Sequence, residues 1–403
     1  MATALEFYFN SSTSLDASLS TTYKTYLTCT VNRIGKADSK NVFVIAHIVI
    51  TYSTISGDLG AKVRLRQDGS TDLGECADGL QHSDISPHGY TYNFVKRVSL
   101  DNSSHTFTLD FAQAIGTGQV LVPHGSIIVL EESANAEYND STTETGTGVA
   151  TGWVDYLTLS FTPSATENYL IVASCETMCE DESDTGVAGI QLEVAGVAVM
   201  SEGWGEIVNG VNDSIYRTVG VAYWGELATG ASRDIKIQMQ GDGADDEVYC
   251  RKGAIIAIPL SDFENVYTDS QVAKTFHTTA QSDTDVVLAT QACNAADHLV
   301  ICGQECSNES NAYVGFAHLI SAGVDFPGYN LDDRDEDASE FYVNFLVHGV
   351  TLVADDYDFK IQGDSYDDTY EGCVNKAYLA VCEIPAGEAP PPPTYIPKVI
   401  MIN

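Results

Sequence analysis

The strongest constraint on this chain is that it repeats itself three times. Tyr23-Lys-Thr-Tyr26-Leu27-Thr28 matches Trp153-Val-Asp-Tyr156-Leu157-Thr158 at an offset of 130, and Tyr8-Phe-Asn-Ser11-Ser-Thr13 matches Tyr138-Asn-Asp-Ser141-Thr-Thr143 at that same offset. Tyr169-Leu-Ile-Val-Ala-Ser-Cys-Glu176 then matches His298-Leu-Val-Ile-Cys-Gly-Gln-Glu305 at an offset of 129, and the first copy carries Val42-Phe-Val-Ile-Ala-His47 in that place. Asp234-Ile-Lys-Ile-Gln238 matches Asp358-Phe-Lys-Ile-Gln362. The copies close on the apolar runs Gly125–Leu130, Gly253–Ile258 and Lys376–Val381. A period this long duplicates a whole folding unit, not a rung of a solenoid. The units read as residues 1–134, 135–264 and 265–388, followed by a tail at 389–403.

Each unit reads as β. Leu157 to Phe161, Ile190-Gln-Leu-Glu-Val194 and Ile235-Lys-Ile-Gln-Met239 alternate apolar and polar residues, as half-buried strands do. Gly, Asn, Asp, Ser and Thr separate the runs, and no window carries a capped stripe of helical period. The expected fold is all-β: three tandem antiparallel β-sandwich or jelly-roll-like domains strung as beads on a rod, plus a Pro-spaced C-terminal arm.

Charge narrows the partners. The chain has 57 Asp+Glu against 19 Lys+Arg, a formal net charge of −38. That excludes nucleic acid and anionic lipid, which bind through clustered Lys and Arg, and suits a salt-rich medium. The 44% hydrophobic content separates the chain from a disordered acidic tail. No apolar run approaches the roughly 18 residues of a membrane span. Met1 to Asn10 has no basic n-region and no long apolar stretch, so it is not read as a Sec-type signal. The charge is uneven: residues 1–134 hold 13 acids and 9 bases, and the remainder holds 44 acids and 10 bases. Lys62, Arg64 and Arg66 alternate onto one strand face. They are either an ordinary solvated face or a docking face, by which the near-neutral first unit binds an acidic assembly while the other two project into solvent.

The ten cysteines are dispersed, which suits free and mostly buried thiols. Cys175/Cys179 and Cys302/Cys306 sit four apart, more than about 12 Å on a strand, too far for a local disulfide. No C-x2-C spacing supports zinc.

The best constellation for chemistry is a repeated acidic loop. Gly241-Asp242-Gly-Ala-Asp245-Asp246 and Gly363-Asp364-Ser-Tyr-Asp367-Asp368 both read G-D-x-x-D-D after the matched Lys-Ile-Gln strand. Converging carboxylates suit Ca²⁺, and a solvated hairpin tip in an acidic protein reads the same way. The first unit has Ala112-Gln-Ala-Ile-Gly116 there. Asp333-Arg-Asp335-Glu-Asp337 begins like an EF-hand, but Ala338 and Asn344 replace the required Gly and Glu. Gly363-Asp-Ser365 has Gly241-Asp-Gly243 as its counterpart, without a hydroxyl, so Ser365 is read as a turn residue and not as a nucleophile. No metalloprotease, hydrolase, P-loop or dinucleotide motif occurs, the nine histidines show no ligand spacing, and the chain is expected not to be an enzyme. The sequons at Asn10, Asn102, Asn139, Asn212 and Asn308 bear on function only if the protein is displayed on a cell.

Four prolines near position 390 form a stiff spacer before Val399, Ile400, Met401 and Ile402. That short apolar end is either a strand returning to the third unit or an arm adding a strand to a neighbouring subunit. The whole arrangement resembles virion surface proteins of tailed phages or archaeal viruses. The resemblance is carried by Tyr156-Leu-Thr-Leu-Ser-Phe-Thr-Pro163, Tyr169-Leu-Ile-Val-Ala-Ser174 and their copies. It implies a non-enzymatic capsid decoration, fibre or host-attachment appendage assembled in host cytoplasm. The implied partners are further copies of itself, an acidic capsid, tail or filament scaffold, and a host-surface glycan. One alternative is an S-layer or extracellular filament subunit. Another is a carbohydrate-binding module, for which Trp153, Trp204 and Trp224 are the aromatic candidates; Trp153 is expected in the core because Tyr23 matches it.

Overall fold

The computed structural model describes residues 5–36, 38–52, 60–77, 89–115, 119–147, 152–180, 188–204, 216–241, 247–272, 275–277, 284–308, 315–328, 341–365 and 372–385. The first nine strands are β1 (Phe7–Ser12), β2 (Asp16–Ser18), β3 (Lys24–Asn32), β4 (Lys40–Tyr52), β5 (Gly60–Gln67), β6 (Thr71–Ala77), β7 (Gly89–Leu100), β8 (Ser104–Ile115) and β9 (Val120–Glu131). They form one sheet in the order β1-β9-β4-β7 and another in the order β3-β8-β5-β6. First and last strands lie side by side, the wrapping that makes a sandwich a jelly roll.

The pattern recurs twice. The next set is β10 (Glu137–Ser141), β11 (Thr145–Gly146), β12 (Val154–Phe161), β13 (Glu167–Glu180), β14 (Ala188–Val194), β15 (Val197–Trp204), β16 (Arg217–Leu227), β17 (Arg233–Gln240) and β18 (Glu247–Pro259). It pairs as β10-β18-β13-β16 and β12-β17-β14-β15. The last set is β19 (Val266–Gln271), β20 (Thr275–His277), β21 (Thr284–Cys293), β22 (Asp297–Asn308), β23 (Gly315–Ser321), β24 (Val324–Gly328), β25 (Phe341–Thr351), β26 (Asp355–Ser365) and β27 (Gly372–Glu383). It pairs as β19-β27-β22-β25 and β21-β26-β23-β24, and β25 also joins β15 of the second set at Gly203–Phe341, so that one nine-stranded sheet runs through both sets. The chain is therefore all-β, a set of three jelly-roll sandwiches.

The sandwiches are not beads on a rod. Val42 to Ile50 on β4 are all buried and all apolar except His47, the pattern found where a sheet is covered on both faces. Val42, Val44, Ala46, Ile48 and Ile50 fill the first sandwich. Phe43 and Ile45 point the other way, into a core shared with Leu170 and Val172 of β13 and Leu299 and Ile301 of β22. The three inner sheets thus pack their backs together. Contiguous apolar strands cannot face water on either side, so the rod expected from tandem repeats gives way to a block built around a pseudo-threefold axis. The near-neutral first sandwich consequently lies beside the acidic ones and not at one end.

The outer strands behave as the sequence predicts. β3 alternates exposed and buried from Thr25 to Asn32 around one bulge between Thr25 and Leu27. The same bulge recurs at Asp155/Leu157 and Asp285/Val287, which confirms the structural equivalence of the copies. It turns Tyr26 and Tyr156 aside, so that their hydroxyls donate to the Ser12 and Ser141 carbonyls at 2.9 and 3.2 Å. These tyrosines staple the first strand of each unit to its neighbour, and the third unit has Val286 instead.

Candidate functional site

Three strands meet at the axis: β7 and β16, which are sheet edges, and β25, whose outer side pairs with β15 only at Gly203–Phe341 and is otherwise an edge. An edge strand presents unpaired N–H and C=O groups, and burying it requires partners for them. The cross-strand register sets His47 opposite Asn93, Ser174 opposite Gly220, and Gly303 opposite Phe345. Positions 47, 174 and 303 are therefore equivalent, and each receives the edge strand of the preceding sandwich. Val95 of β7 donates its N–H to Ser174 Oγ at 2.9 Å. Val347 of β25 donates to His47 Nδ1 at 3.1 Å. At the third seam, a Cβ on Gly303 would lie 1.8 Å from the Ala222 carbonyl oxygen, so β16 approaches a bare backbone. One problem has three chemical solutions: an imidazole, a hydroxyl and no side chain.

Asn93 joins all three sandwiches. Its backbone N–H donates to Thr218 Oγ1 at 2.8 Å in the second. Its Nδ2 donates to the Phe345 carbonyl at 2.7 Å, and the Phe345 N–H returns to its Oδ1 at 3.3 Å in the third. A side-chain amide here replaces one peptide of a missing strand. Gly220 makes room, since a Cβ there would meet the Asn93 Cβ at 2.3 Å.

Further out, buried carboxylates fix two seams. Glu176 accepts from the Glu75 backbone N–H at 3.1 Å, from Arg251 Nε at 2.8 Å and from Lys252 Nζ at 3.0 Å. Glu305 accepts from the Ser201 N–H at 2.9 Å and from Lys376 Nζ at 3.1 Å. Each caps the outer-sheet edge of the preceding sandwich. Beside Glu176, burial holds the Lys96 ammonium below its ordinary value and burial, reinforced by Glu176, pushes the Cys76 thiol well up. The first unit has Val49 here, and its seam is filled by His47, His124 and His348 around Phe326. Phe326 lies 5.8 Å from the His124 ring and 4.5 Å from that of His348, centroid to centroid. Both matched runs end in a glutamate inside a mostly apolar strand, which is the sequence signal of these carboxylates.

The sequence candidates are distributed as follows. Lys62, Arg64 and Arg66 do share one face of β5, but their charge is engaged within the sheet. Asp110, fully buried on β8, takes Arg64 Nε at 3.0 Å and Arg66 Nη2 at 2.6 Å. Lys62 and Arg64 stack over Tyr23, at 4.7 and 3.7 Å from its centroid. In the other sandwiches the corresponding carboxylates sit on the partner strand. Lys236 and Gln238 clamp Asp155 at 3.0 and 2.6 Å, and Lys360 and Gln362 clamp Asp285 at 3.3 and 2.7 Å. The repeated Lys-Ile-Gln motif is thus an outer-sheet fastening.

Asp242, Asp245, Asp246, Asp367 and Asp368, the side chain of Asp364, and Val399, Ile400, Met401 and Ile402 lie outside the described residues. Among the described residues no group of three or more His, Cys, Asp or Glu could hold a metal ion. Cys29, Cys76, Cys175, Cys250, Cys293, Cys302, Cys306 and Cys382 are free and buried, and burial pushes the Cys29 and Cys302 thiols up to about 12, away from thiolate chemistry. Trp153 corrects an expectation: it precedes β12 and is 39% exposed, because the strand begins only at Val154. Trp224 is half-buried between the second and third sandwiches, with its indole N–H on the Asp269 carbonyl at 3.3 Å. No helix of the described residues is long and apolar enough to cross a membrane.

No family model matches the chain, and no curated protein matches it. Among solved structures it is similar to one described as the triple jelly roll fold and turret assembly in an archaeal virus, at 9% identity and TM-score 0.19, over 94% of this chain and 91% of that one. It is also similar to a Sulfolobus turreted icosahedral virus structure, at 11% identity and TM-score 0.19, over 94% and 92%. A third is the major capsid protein P2 of bacteriophage PM2, at 9% identity and TM-score 0.23, over 63% of this chain and 99% of that one. At these identities and scores the likenesses carry no functional argument, and the jelly-roll assignment stands on strand pairing alone.

Proposed function

We propose that this protein is a non-enzymatic structural component of a virion surface, acting as a capsid decoration, fibre or host-attachment appendage and assembling with its own copies and a larger scaffold. The observation that carries this reading is the common core: three jelly rolls, each with a fully packed interior, locked back to back into one block. The interiors of the three sandwiches are filled by apolar side chains. The mass of the chain goes into a stiff, acidic, salt-tolerant building piece.

Imaging of particles from the native source, with antibody labelling of this chain, tests the reading. Label on virion surfaces is the expected result. Label on a cell envelope or an extracellular filament instead would replace it with the S-layer or filament alternative. Within the virion reading, the first sandwich is the side that meets an acidic scaffold. Lys62→Glu probes this without unpairing buried Asp110, which reversal at Arg64 or Arg66 would do.

A further inference from the structure

We infer that the seam between the first and third sandwiches is an acid-opened joint, in which a proton entering the His47–His124 pair releases β25 from β4 while the other two seams hold. The hydrogen-bond directions lead there. The Val347 N–H donates to His47 Nδ1 at 3.1 Å, so that nitrogen carries a lone pair and no proton. The proton of neutral His47 therefore sits on Nε2, which faces His124 Nδ1 at 3.3 Å and donates to it. His124 Nδ1 is then an acceptor as well. His47 Nδ1 already receives the Val347 N–H, so a proton there sets donor against donor across the seam; a proton arriving at His124 Nδ1 opposes His47 Nε2–H until His47 shifts its own proton to Nδ1, which meets the same clash. The neutral pair satisfies this geometry and the protonated pair cannot.

Among the described residues, the titratable groups that bear on His47 are imidazoles and not carboxylates. From β9 the titratable group facing His47 is His124, and from β25 it is His348, which lies 5% exposed with Nδ1 at 3.0 Å from Ser321 Oγ on β23. β24 contributes Phe326 to the cluster, and its Asp325 lies on the exposed side. β7 contributes Asn93, whose amide is committed to Phe345; Lys96 on the same strand turns to the Lys252 carbonyl at the opposite seam. Lys40 and Glu131, on β4 and β9, pair with each other. Burial, with the neighbouring imidazoles adding to it, holds His47 well below the ordinary histidine value, and burial holds His348 at about 4.

The sign follows from that depression. Folded-state values below the ordinary 6.5 mean that these histidines' contribution is fully present above about pH 6.5 and is lost as pH falls toward the folded values. Each imidazole shifts the opening equilibrium by about tenfold per pH unit in that range. The selectivity comes from pseudo-symmetry. The equivalent positions at the other seams are Ser174 and Gly303, neither of which titrates, and imidazole is the side chain that ordinarily changes charge between pH 5 and 8.

Hydrogen–deuterium exchange of the full chain tests this at pH 7.5 and 5.5, corrected for intrinsic rates. Protection of the β25 amides around Val347 should fall by roughly tenfold or more at pH 5.5 relative to β7 amides around Val95, which rest on Ser174. His47→Asn supplies a non-titrating acceptor, and the pH dependence of the Val347-to-Val95 ratio should then shrink by about tenfold, leaving only what His348 contributes. Equal protection of the two strands at both pH values, or a parallel loss in both, overturns the inference. A variant that keeps the full pH dependence of the unaltered protein overturns it too. If His47→Asn does not fold, the comparison of the two strands in the unaltered protein decides alone.

Discussion

Asn93 shows how much of this molecule depends on single side chains at the axis. It serves two backbone groups of β25 and receives room from Gly220 of β16. Replacing it with Ala strands the Phe345 N–H and C=O in a dry site, at about 1–3 kcal/mol per unsatisfied group. Asn93→Ala should therefore lower unfolding free energy by about 3 kcal/mol in urea titration. Turn residues offer the opposite change. Ala195 and Ala322 occupy two-residue hairpin loops with φ of 52° and 49°, where the left-handed backbone costs a residue with a Cβ about 1–2 kcal/mol. Ala195→Gly and Ala322→Gly should each raise the unfolding free energy measured by urea titration, by about 0.5–1 kcal/mol once the flexibility of glycine in the unfolded chain is allowed for. Of these residues the sequence displayed only identity: nothing in Asn93's neighbours marks it, because its partners lie 125 and 252 positions away.

At the scale of strands, two classes can be told apart by pattern alone. Outer strands such as β5 and β12 alternate, whereas inner strands β4, β13 and β22 are buried without a break over 42–50, 169–177 and 298–306 and are mostly apolar there. The alternating class placed Lys62, Arg64 and Arg66 on one face correctly, but could not reveal Asp110 beneath two of them, since that contact depends on register with β8. The unbroken class already signalled a sheet with two covered faces, yet not what covers the second. Gly303 expresses the resulting intimacy. Gly303→Ala drives a methyl into the Ala222 backbone and should cost about 3 kcal/mol or more, read as a lowered urea midpoint. The same change at exposed Gly152, where an added methyl would meet no atom within 4 Å, should be nearly silent.

For the molecule as a whole, the shared core makes the repeats interdependent. Residues 1–134 expressed alone would expose Phe7, Phe43, Ile45, Val95, Ile128 and Leu130 as one apolar face. That fragment should self-associate or precipitate in size-exclusion chromatography, and a soluble monomer would contradict a dependence of the first sandwich on its neighbours. The net charge of −38 acquires a spatial sense as well: two acidic sandwiches and one near-neutral one share an axis, so charge distinguishes sides of the block. By itself the sequence determined the threefold duplication, the β character of each copy and the strands' inward faces, because periodicity and repetition are local properties of the chain. Only the tertiary structure decided that the copies close around a common core, and that equivalent positions become His47, Ser174 and Gly303 at three different seams. Those choices depend on which backbone reaches which side chain across more than a hundred residues, and no local pattern encodes that distance.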